Sequence, residues 1–241
     1  MSTADKMQTV VDNVPLVYQA GRNDEWSDFW DSAQDFGNKV DYTRAFASPI
    51  WNAYTFRPKY DIRPTTAPVI FQNFGTEAID LQAHLESCGV ELDFSHCNSL
   101  NYGFNSAIIS RVGIIDMRGV TTVTGADAVF HSCPSIVTID KLIVNETYPM
   151  GVDSFIYCNN LKNITIEGRI TGSFKINDSP LTVESMKSII NHLQDYSGTA
   201  KANTCTLSFK ASCWTALEAD GGAPVGETWK AYVNSLGWLT N

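Results

Sequence analysis

Three aspartates recur at nearly constant intervals through the middle of the chain, and acidic side chains in such a series could carry chemistry. Asp116 follows Asp93 by 23 residues, and Asp140 follows Asp116 by 24. If each occupies the same position on neighbouring parallel strands, the three carboxylates stack about 4.8 Å apart. Paired carboxylates serve glycoside hydrolysis, and clustered ones hold divalent cations. We favour a solvated interaction face on which these acids pair with Lys141 and Arg118, because duplication of a repeat multiplies any acid within it.

Cysteine and histidine offer a second set of reactive groups. The chain has six cysteines and no C-x-x-C pair. The cysteine spacings typical of zinc sites and of thioredoxin-like redox sites are therefore absent from the sequence. His96-Cys97 and His131-x-Cys133 could supply zinc ligands or a nucleophilic pair. A structural zinc site needs four converging ligands, however, and a thiol in an apolar core position has a raised pKa and is inert. We therefore predict buried, reduced thiols, with no metal, no cofactor and no catalytic residue.

The elements that must position these groups form a repeat between about residues 76 and 180. The motif F-x-x-C-x-x-L-x-x-I occurs twice, 25 residues apart, and a constant period in the twenties is typical of a solenoid. An apolar residue at every third position suits a tight 3₁₀-like turn that leads into a strand. A degenerate earlier copy begins at Phe104 and, with Ile115 aligned to Ile139, carries about two extra residues before its strand. The two full copies are Phe130, Cys133, Ile136, Ile139 and Phe155, Cys158, Leu161, Ile164.

Short apolar strands recur with this period. They are centred on Asp93, Asp116, Asp140 and Ile164, and we predict them as neighbours in one parallel sheet of about four to five strands between residues 90 and 176. A single unit cannot bury its apolar edge, so stacking of neighbours would make the core.

An aromatic segment, residues 1–75, precedes the repeat segment, residues 76–180. Trp26, Phe29 and Trp30 fall on one helical stripe at i, i+3 and i+4. Further aromatic residues follow within one span, namely Trp51, Tyr54 and Phe56. We predict an assembly element that docks into a partner or a neighbouring copy, because exposed apolar patches mark interaction sites. The alternative is that it folds back and caps the first repeat, as solenoids require.

Residues 181–241 are predicted to be a C-terminal α/β cap. Thr182 can cap an amphipathic helix that begins at Val183 and runs through Leu193. A strand is expected over residues 204–209, and two short helices follow, the second ending at Gly237.

Charge and composition narrow the classes of partner. The 241 residues carry 17 Lys and Arg against 26 Asp and Glu, a net charge of −9 that repels phosphate backbones and anionic lipid. We expect protein partners, including self-association, and no nucleic acid or membrane. The start of the sequence shows no secretory signal, so we expect synthesis in the cytosol and a final location in a virion or at a cell surface.

The repeat motif resembles that of the BspA-like leucine-rich repeat proteins, and more narrowly that of repeat proteins common in gut Firmicutes and their prophages. The resemblance also draws on segments such as Phe56-Arg57-Pro58-Lys59-Tyr60-Asp61 and Pro180-Leu181-Thr182-Val183-Glu184-Ser185-Met186. It implies a mixed, mostly β protein: a leucine-rich-repeat-like solenoid with a short parallel sheet, flanked by the aromatic segment and the α/β cap. It implies no catalytic residues. The expected function is a structural or receptor-binding component of a phage virion, in tail, baseplate or capsid. The alternative is a bacterial surface or secreted adhesin that binds protein or glycan.

Overall fold

The computed structural model of the protein describes residues 42–49, 51, 52, 54, 56, 58, 61–224 and 228–241. Its strands are β1 (Ile79–Asp80), β2 (Ile109–Asp116), β3 (Thr138–Ile143), β4 (Asn163–Glu167), β5 (Phe174–Ile176), β6 (Cys205–Phe209) and β7 (Trp238–Thr240). They form a four-stranded sheet in the order β1-β2-β3-β4 and a three-stranded sheet in the order β5-β6-β7. Every pairing is parallel, and neither sheet closes into a barrel.

Helices are short in the described part of the chain. They are α1 (Leu81–Cys88), α2 (Val183–Asn191), α3 (Ala211–Asp220), α4 (Trp229–Ser235) and a 3₁₀ turn, Val123–Ala126. The predicted cap of α2 is confirmed, since the Thr182 side chain accepts a hydrogen bond from the Ser185 N–H. None of the described helices is long and apolar enough to cross a membrane. The fold is therefore a mixed α/β arrangement built on parallel sheets.

A column of phenylalanine rings runs through the core. Successive rings lie with centroids 5.1–5.7 Å apart, and the pairs are Phe46–Phe71, Phe71–Phe104, Phe104–Phe130, Phe130–Phe155 and Phe155–Phe174. Offset or tilted aromatic pairs at this distance add to the free energy gained by burying the rings. The pair Phe130 and Phe155 confirms that the two full motif copies lie side by side. Cys133 and Cys158, three residues further on, are both fully buried, as the motif predicts.

Backbone hydrogen bonds also join each segment to the next in the turns that precede the strands. The N–H groups of Val69, Tyr102 and Phe130 donate to carbonyl oxygens of the following segment at 2.8–3.0 Å. The turns need left-handed backbone at residues that are not glycine, with φ of +54° at Val69, +52° at Tyr102 and +58° at Ser132. We call this surface the turn ridge.

The register between β2 and β3 differs from the predicted one. Val112, and not Ile115, lies opposite Ile139, so Asp116 lies opposite Ile143. The turn before β2 is shorter than its copies: Val112 follows Phe104 by 8 residues, whereas Ile139 follows Phe130 by 9. The prediction of two extra residues before this strand was wrong, and the alignment of Asp116 with Asp140 depended on it.

The predicted strand around Asp93 is not part of the four-stranded sheet. Leu92 forms only an isolated parallel bridge with Ile62, and β1 takes the place beside β2. The cause is α1, an eight-residue helix inserted into this unit, which lengthens the spacing from Phe71 to Phe104 to 33 residues. At the other end, β5 pairs with β6 in the second sheet instead of following β4.

The described part of the aromatic segment packs on its own chain. Trp51 and Phe56 are each 1% exposed, and both contact Phe46 at the start of the ring column. For these two residues the prediction of an assembly surface was wrong, because both are already buried against other residues of their own chain. Tyr54 is 81% exposed. Trp26, Phe29 and Trp30 lie outside the described residues.

Candidate interaction site

The face of the four-stranded sheet that points away from the core is the best candidate for a site. In β4 the alternation is regular: Ile164 and Ile166 are buried, while Asn163, Thr165 and Glu167 are exposed. In β3 an extra residue lies between the buried Ile139 and Leu142 positions, so that two consecutive side chains face outward. The residues of this outward face are Arg111, Gly113, Ile114, Thr138, Asp140, Lys141, Asn163, Thr165 and Glu167.

Arg111 ties three strands together on the outward face. Its Nε and Nη2 donate to the two carboxylate oxygens of Asp140 at 2.9 and 2.8 Å, and its Nη1 lies 3.7 Å from Asp80. A bidentate arginine–carboxylate pair fixes both side chains in orientation. The hydrogen bonds and charge of Asp140 raise the pKa of the Arg111 guanidinium. The Asp140 carboxylate is thus fixed in orientation, and the arginine compensates its charge.

Asp116 does not belong to this face. It is buried, and its carboxylate oxygens accept from the Arg118 side chain at 2.6–3.1 Å and from the Arg118 N–H at 3.0 Å. Its role is to close the loop after β2.

Asp93 also closes a loop, by accepting from the Ser95 N–H at 2.8 Å. Burial acts to raise the pKa of Asp93, but bonds from Ser95 and the charges of Arg63 and His96 outweigh it, and the net shift is downward. The predicted stack of Asp93, Asp116 and Asp140 is therefore wrong. Of the three, only Asp140 lies on the outward face.

A second ion pair links β3 and β4. Lys141 Nζ donates to Glu167 Oε2 at 2.9 Å, and this bond, with the lysine charge, lowers the pKa of Glu167. The pKa values of Asp93 and Glu167 are therefore both lowered. A general acid working near neutral pH needs the opposite shift.

Ile114 is the apolar centre of the outward face. It is 52% exposed, lies opposite Lys141, and follows Gly113. The Gln82 side chain of α1 covers Gly113, since an added Cβ there would lie 1.8 Å from the Gln82 amide oxygen and would displace that side chain. Sequence reasoning missed Ile114 because Val112-Gly113-Ile114-Ile115 is apolar throughout, and nothing in it marks which isoleucine points outward.

A groove of about 360 Å³ opens where the outward face meets the start of α2. We call it the β3–β4 groove, and its polar lining is Thr138, Asp140, Asn163, Thr165, Thr182, Glu184 and Ser185. Thr138 and Asn163 are partners across the two strands, and Asn163 Nδ2 donates to Thr138 Oγ1 at 3.4 Å. Apart from Asp140, the sequence did not single out any of these residues as a binding site. Asn163-Ile164-Thr165 matches the glycosylation acceptor pattern, but that pattern is short and common and does not mark a groove.

The thiols and histidines do not converge on a metal. Among the described residues no group of three or more His, Cys, Asp or Glu side chains is placed to hold an ion. Burial raises the pKa of the Cys158 thiol from its ordinary value of 9.0 to about 12 and raises that of Cys133 well above the same value. Their Sγ atoms donate to the carbonyl oxygens of Phe130 and Phe104.

The turn ridge carries a second polar surface. Asn105 Nδ2 lies 3.1 Å from His131 Nδ1, and the His131 ring meets the Tyr157 ring edge-on at 5.8 Å. Tyr157 and Tyr102 are both exposed.

A scan against protein-family models, a search of curated proteins and a search of solved structures each returned no match to this chain.

Proposed function

We propose that the protein is a non-enzymatic binding or structural protein on a leucine-rich-repeat-like solenoid, and that the outward sheet face is its contact surface. Stacked units with a period near 25 residues, joined by the phenylalanine column, support the solenoid. The proposed contact is with another protein in a larger assembly.

The observation that carries the proposal is the composition of the outward face. Ile114 is exposed at its centre, within a rim of ion pairs that link Arg111 to Asp140 and Lys141 to Glu167. Protein interfaces commonly combine a small apolar centre with a polar rim. At 52% exposure, the Ile114 side chain is accessible to a partner that approaches this face.

The assembly we propose is a phage virion, in which this protein is a tail, baseplate or capsid component. This step rests on the resemblance to prophage-encoded repeat proteins. The second candidate is a bacterial adhesin that binds protein or glycan, and the exposed rings of Tyr102 and Tyr157 on the turn ridge favour it, because tyrosine rings stack on sugars.

Fractionation separates these two functions. Cultures of the source strain, induced for prophage, are run on a density gradient and blotted for the protein. Co-sedimentation with intact particles supports the virion component, whereas enrichment in the envelope fraction supports the adhesin. Recovery only as free protein in the lysate would contradict both.

Substitution of the central isoleucine tests the contact surface. Ile114→Glu places a charge in the proposed interface and is expected to reduce incorporation into the assembly by tenfold or more, because a buried unpaired charge is costly. Val123→Glu is the matched control, since Val123 is 75% exposed and lies off the sheet. Both variants should melt within a few degrees of the parent. Equal incorporation of the two variants would show that the outward face is not the contact.

A further inference from the structure

We propose that the β3–β4 groove binds a neutral, hydroxyl-rich ligand, that is, a segment of uncharged oligosaccharide. The inference rests on the proposed role of the outward face as a binding surface, and it names the chemistry that one end of this face would recognise. It is independent of whether the protein works in a virion or at a cell surface.

The groove offers paired donors and acceptors on short side chains. Within the described part of the chain, no group hydrogen bonds to the Thr165 hydroxyl or to the Asn163 side-chain oxygen, and both residues are exposed. A hydroxyl both donates and accepts, and a side-chain amide offers one oxygen and two N–H groups. Sugar hydroxyls have the same dual character, so each can bond at both its hydrogen and its oxygen.

Asp140 supplies a fixed acceptor at the edge of the groove. Its carboxylate is held by the Arg111 fork at 2.8–2.9 Å, so a ligand hydroxyl would meet an acceptor that loses little rotamer freedom on binding. The volume of about 360 Å³ lies at the lower end of the range for small-molecule sites, which suits one or two sugar rings.

Charge argues against ionic ligands. Asp140 and Glu184 flank the groove and would repel a phosphate, a sulfate or a sugar acid at the start of α2. A cationic ligand gains little either. Arg111 already neutralises Asp140, and Glu184 lies in the first turn of α2, where the helix dipole compensates a negative charge.

The test uses the purified full chain on a printed array of glucose, galactose, mannose and N-acetylglucosamine oligomers, together with sialylated and sulfated glycans and an oligolysine peptide. We expect binding to one or more neutral oligomers, followed by calorimetry of the best one. Its affinity should change less than twofold between 50 and 500 mM NaCl, because no ion pair forms.

Removal of one hydroxyl tests the location. Thr165→Val keeps the β-branched shape on an exposed strand and is expected to weaken the affinity about tenfold, which is one lost hydrogen bond of about 1.4 kcal/mol. Thr121→Val, at an exposed threonine outside the groove, is the control and should bind as the parent does. Asn163→Ala is a second groove variant in case Thr165→Val lowers the melting temperature.

Several outcomes would overturn the inference. They are an array with no neutral hit, binding only to charged glycans or to oligolysine, and a neutral hit whose affinity both groove variants leave unchanged. A protein that joins its assembly through Ile114 yet binds no neutral oligosaccharide would contradict this inference and leave the proposed function intact.

Discussion

Asn145 shows how a single side chain joins two successive segments of the stack. Its Nδ2 lies 2.9–3.2 Å from three carbonyl oxygens of the loop after β2, while its Oδ1 accepts from two N–H groups of its own loop at 2.9 Å; the partners are Met117, Arg118, Val120, Thr147 and Tyr148. The amide thus satisfies loop backbone groups on both sides. The sequence Asn145-Glu146-Thr147 matches a glycosylation acceptor, but a glycan on this Nδ2 would displace its bonds to the carbonyl oxygens.

Asn145→Ala is expected to lower the free energy of unfolding by about 1–3 kcal/mol, because it removes both halves of this contact. Asn145→Asp should be more destabilising, since a carboxylate would face three carbonyl oxygens. Urea unfolding measures both. Asn159→Ala, at an exposed asparagine, is the control and should stay within about 0.5 kcal/mol of the parent. Equal stability of the Asn145 and Asn159 variants would contradict the role.

The Cys158 thiol links stability to alkaline pH. Its pKa is raised by burial to about 12 in the folded chain, whereas the ordinary value of 9.0 applies once the chain unfolds. Above pH 9 the unfolded state therefore ionises first, so the contribution of this thiol to stability is complete below pH 9 and is lost as pH rises towards 12.

We expect Cys158→Ala to lose stability less steeply than the parent between pH 9 and 12, by up to about 1.4 kcal/mol per pH unit. Val129→Ala is the control, because it also truncates a fully buried side chain but removes no titrating group. Urea titrations at intervals of half a pH unit give the slopes. If Cys158→Ala and Val129→Ala fall with the same slope, the thiol does not carry the effect.

At the scale of elements, α2 protects the open edge of the four-stranded sheet. The Ser185 hydroxyl accepts from the Ile164 N–H and the Ser188 hydroxyl accepts from the Ile166 N–H, each at 2.9 Å. Alternate N–H groups of an edge strand point away from its sheet, and a serine pair on one helix face matches their spacing. A helix thus satisfies the edge where the next strand would pair, and an exposed edge invites pairing with other chains.

Ser185→Ala with Ser188→Ala is expected to destabilise the protein by about 1–3 kcal/mol for each N–H left without a partner. Amide hydrogen exchange at Ile164 and Ile166 should accelerate more than exchange in β3. Ser235→Ala is the helical control, because its hydroxyl bonds only a carbonyl of its own helix. Unchanged exchange at both isoleucines would rule out the edge cap.

For the whole molecule, one continuous apolar core extends from Tyr42 to Trp238. Contacts cross the predicted boundary at residue 75. The Phe71 ring stacks on Phe104 with centroids 5.1 Å apart, and Ile62 forms a β-bridge with Leu92. The described residues between 42 and 75 are therefore a part of the stack.

Deletion of residues 1–75 is expected to give an insoluble or molten product, because it exposes Phe104 and removes Ile62, the bridge partner of Leu92. Deletion of residues 1–41 is the matched truncation and should leave the described core folded. Circular dichroism and size exclusion measure both. A folded, monomeric product from the longer deletion would show that residues 42–75 are dispensable, as the assembly-element hypothesis requires.

The sequence by itself determined the parts of the fold that depend on local spacing. Phe130 and Phe155, with the cysteines that follow them, were placed correctly, because a 25-residue period repeats the same side-chain environment. The cap at Thr182 was also correct, since capping depends on residues within one turn.

Only the tertiary structure decided the register, and the candidate site depends on register. The observed register of β2 lies three residues from the predicted one, which moves Asp116 away from Asp140, and the α1 insertion removes Asp93 from the sheet. A shift of one residue turns a strand side chain to the opposite face, yet it leaves the apolar composition of the strand unchanged. For this reason the exposure of Ile114, the Arg111–Asp140 pair and the β3–β4 groove follow from packing between segments and not from the residue pattern within any one of them.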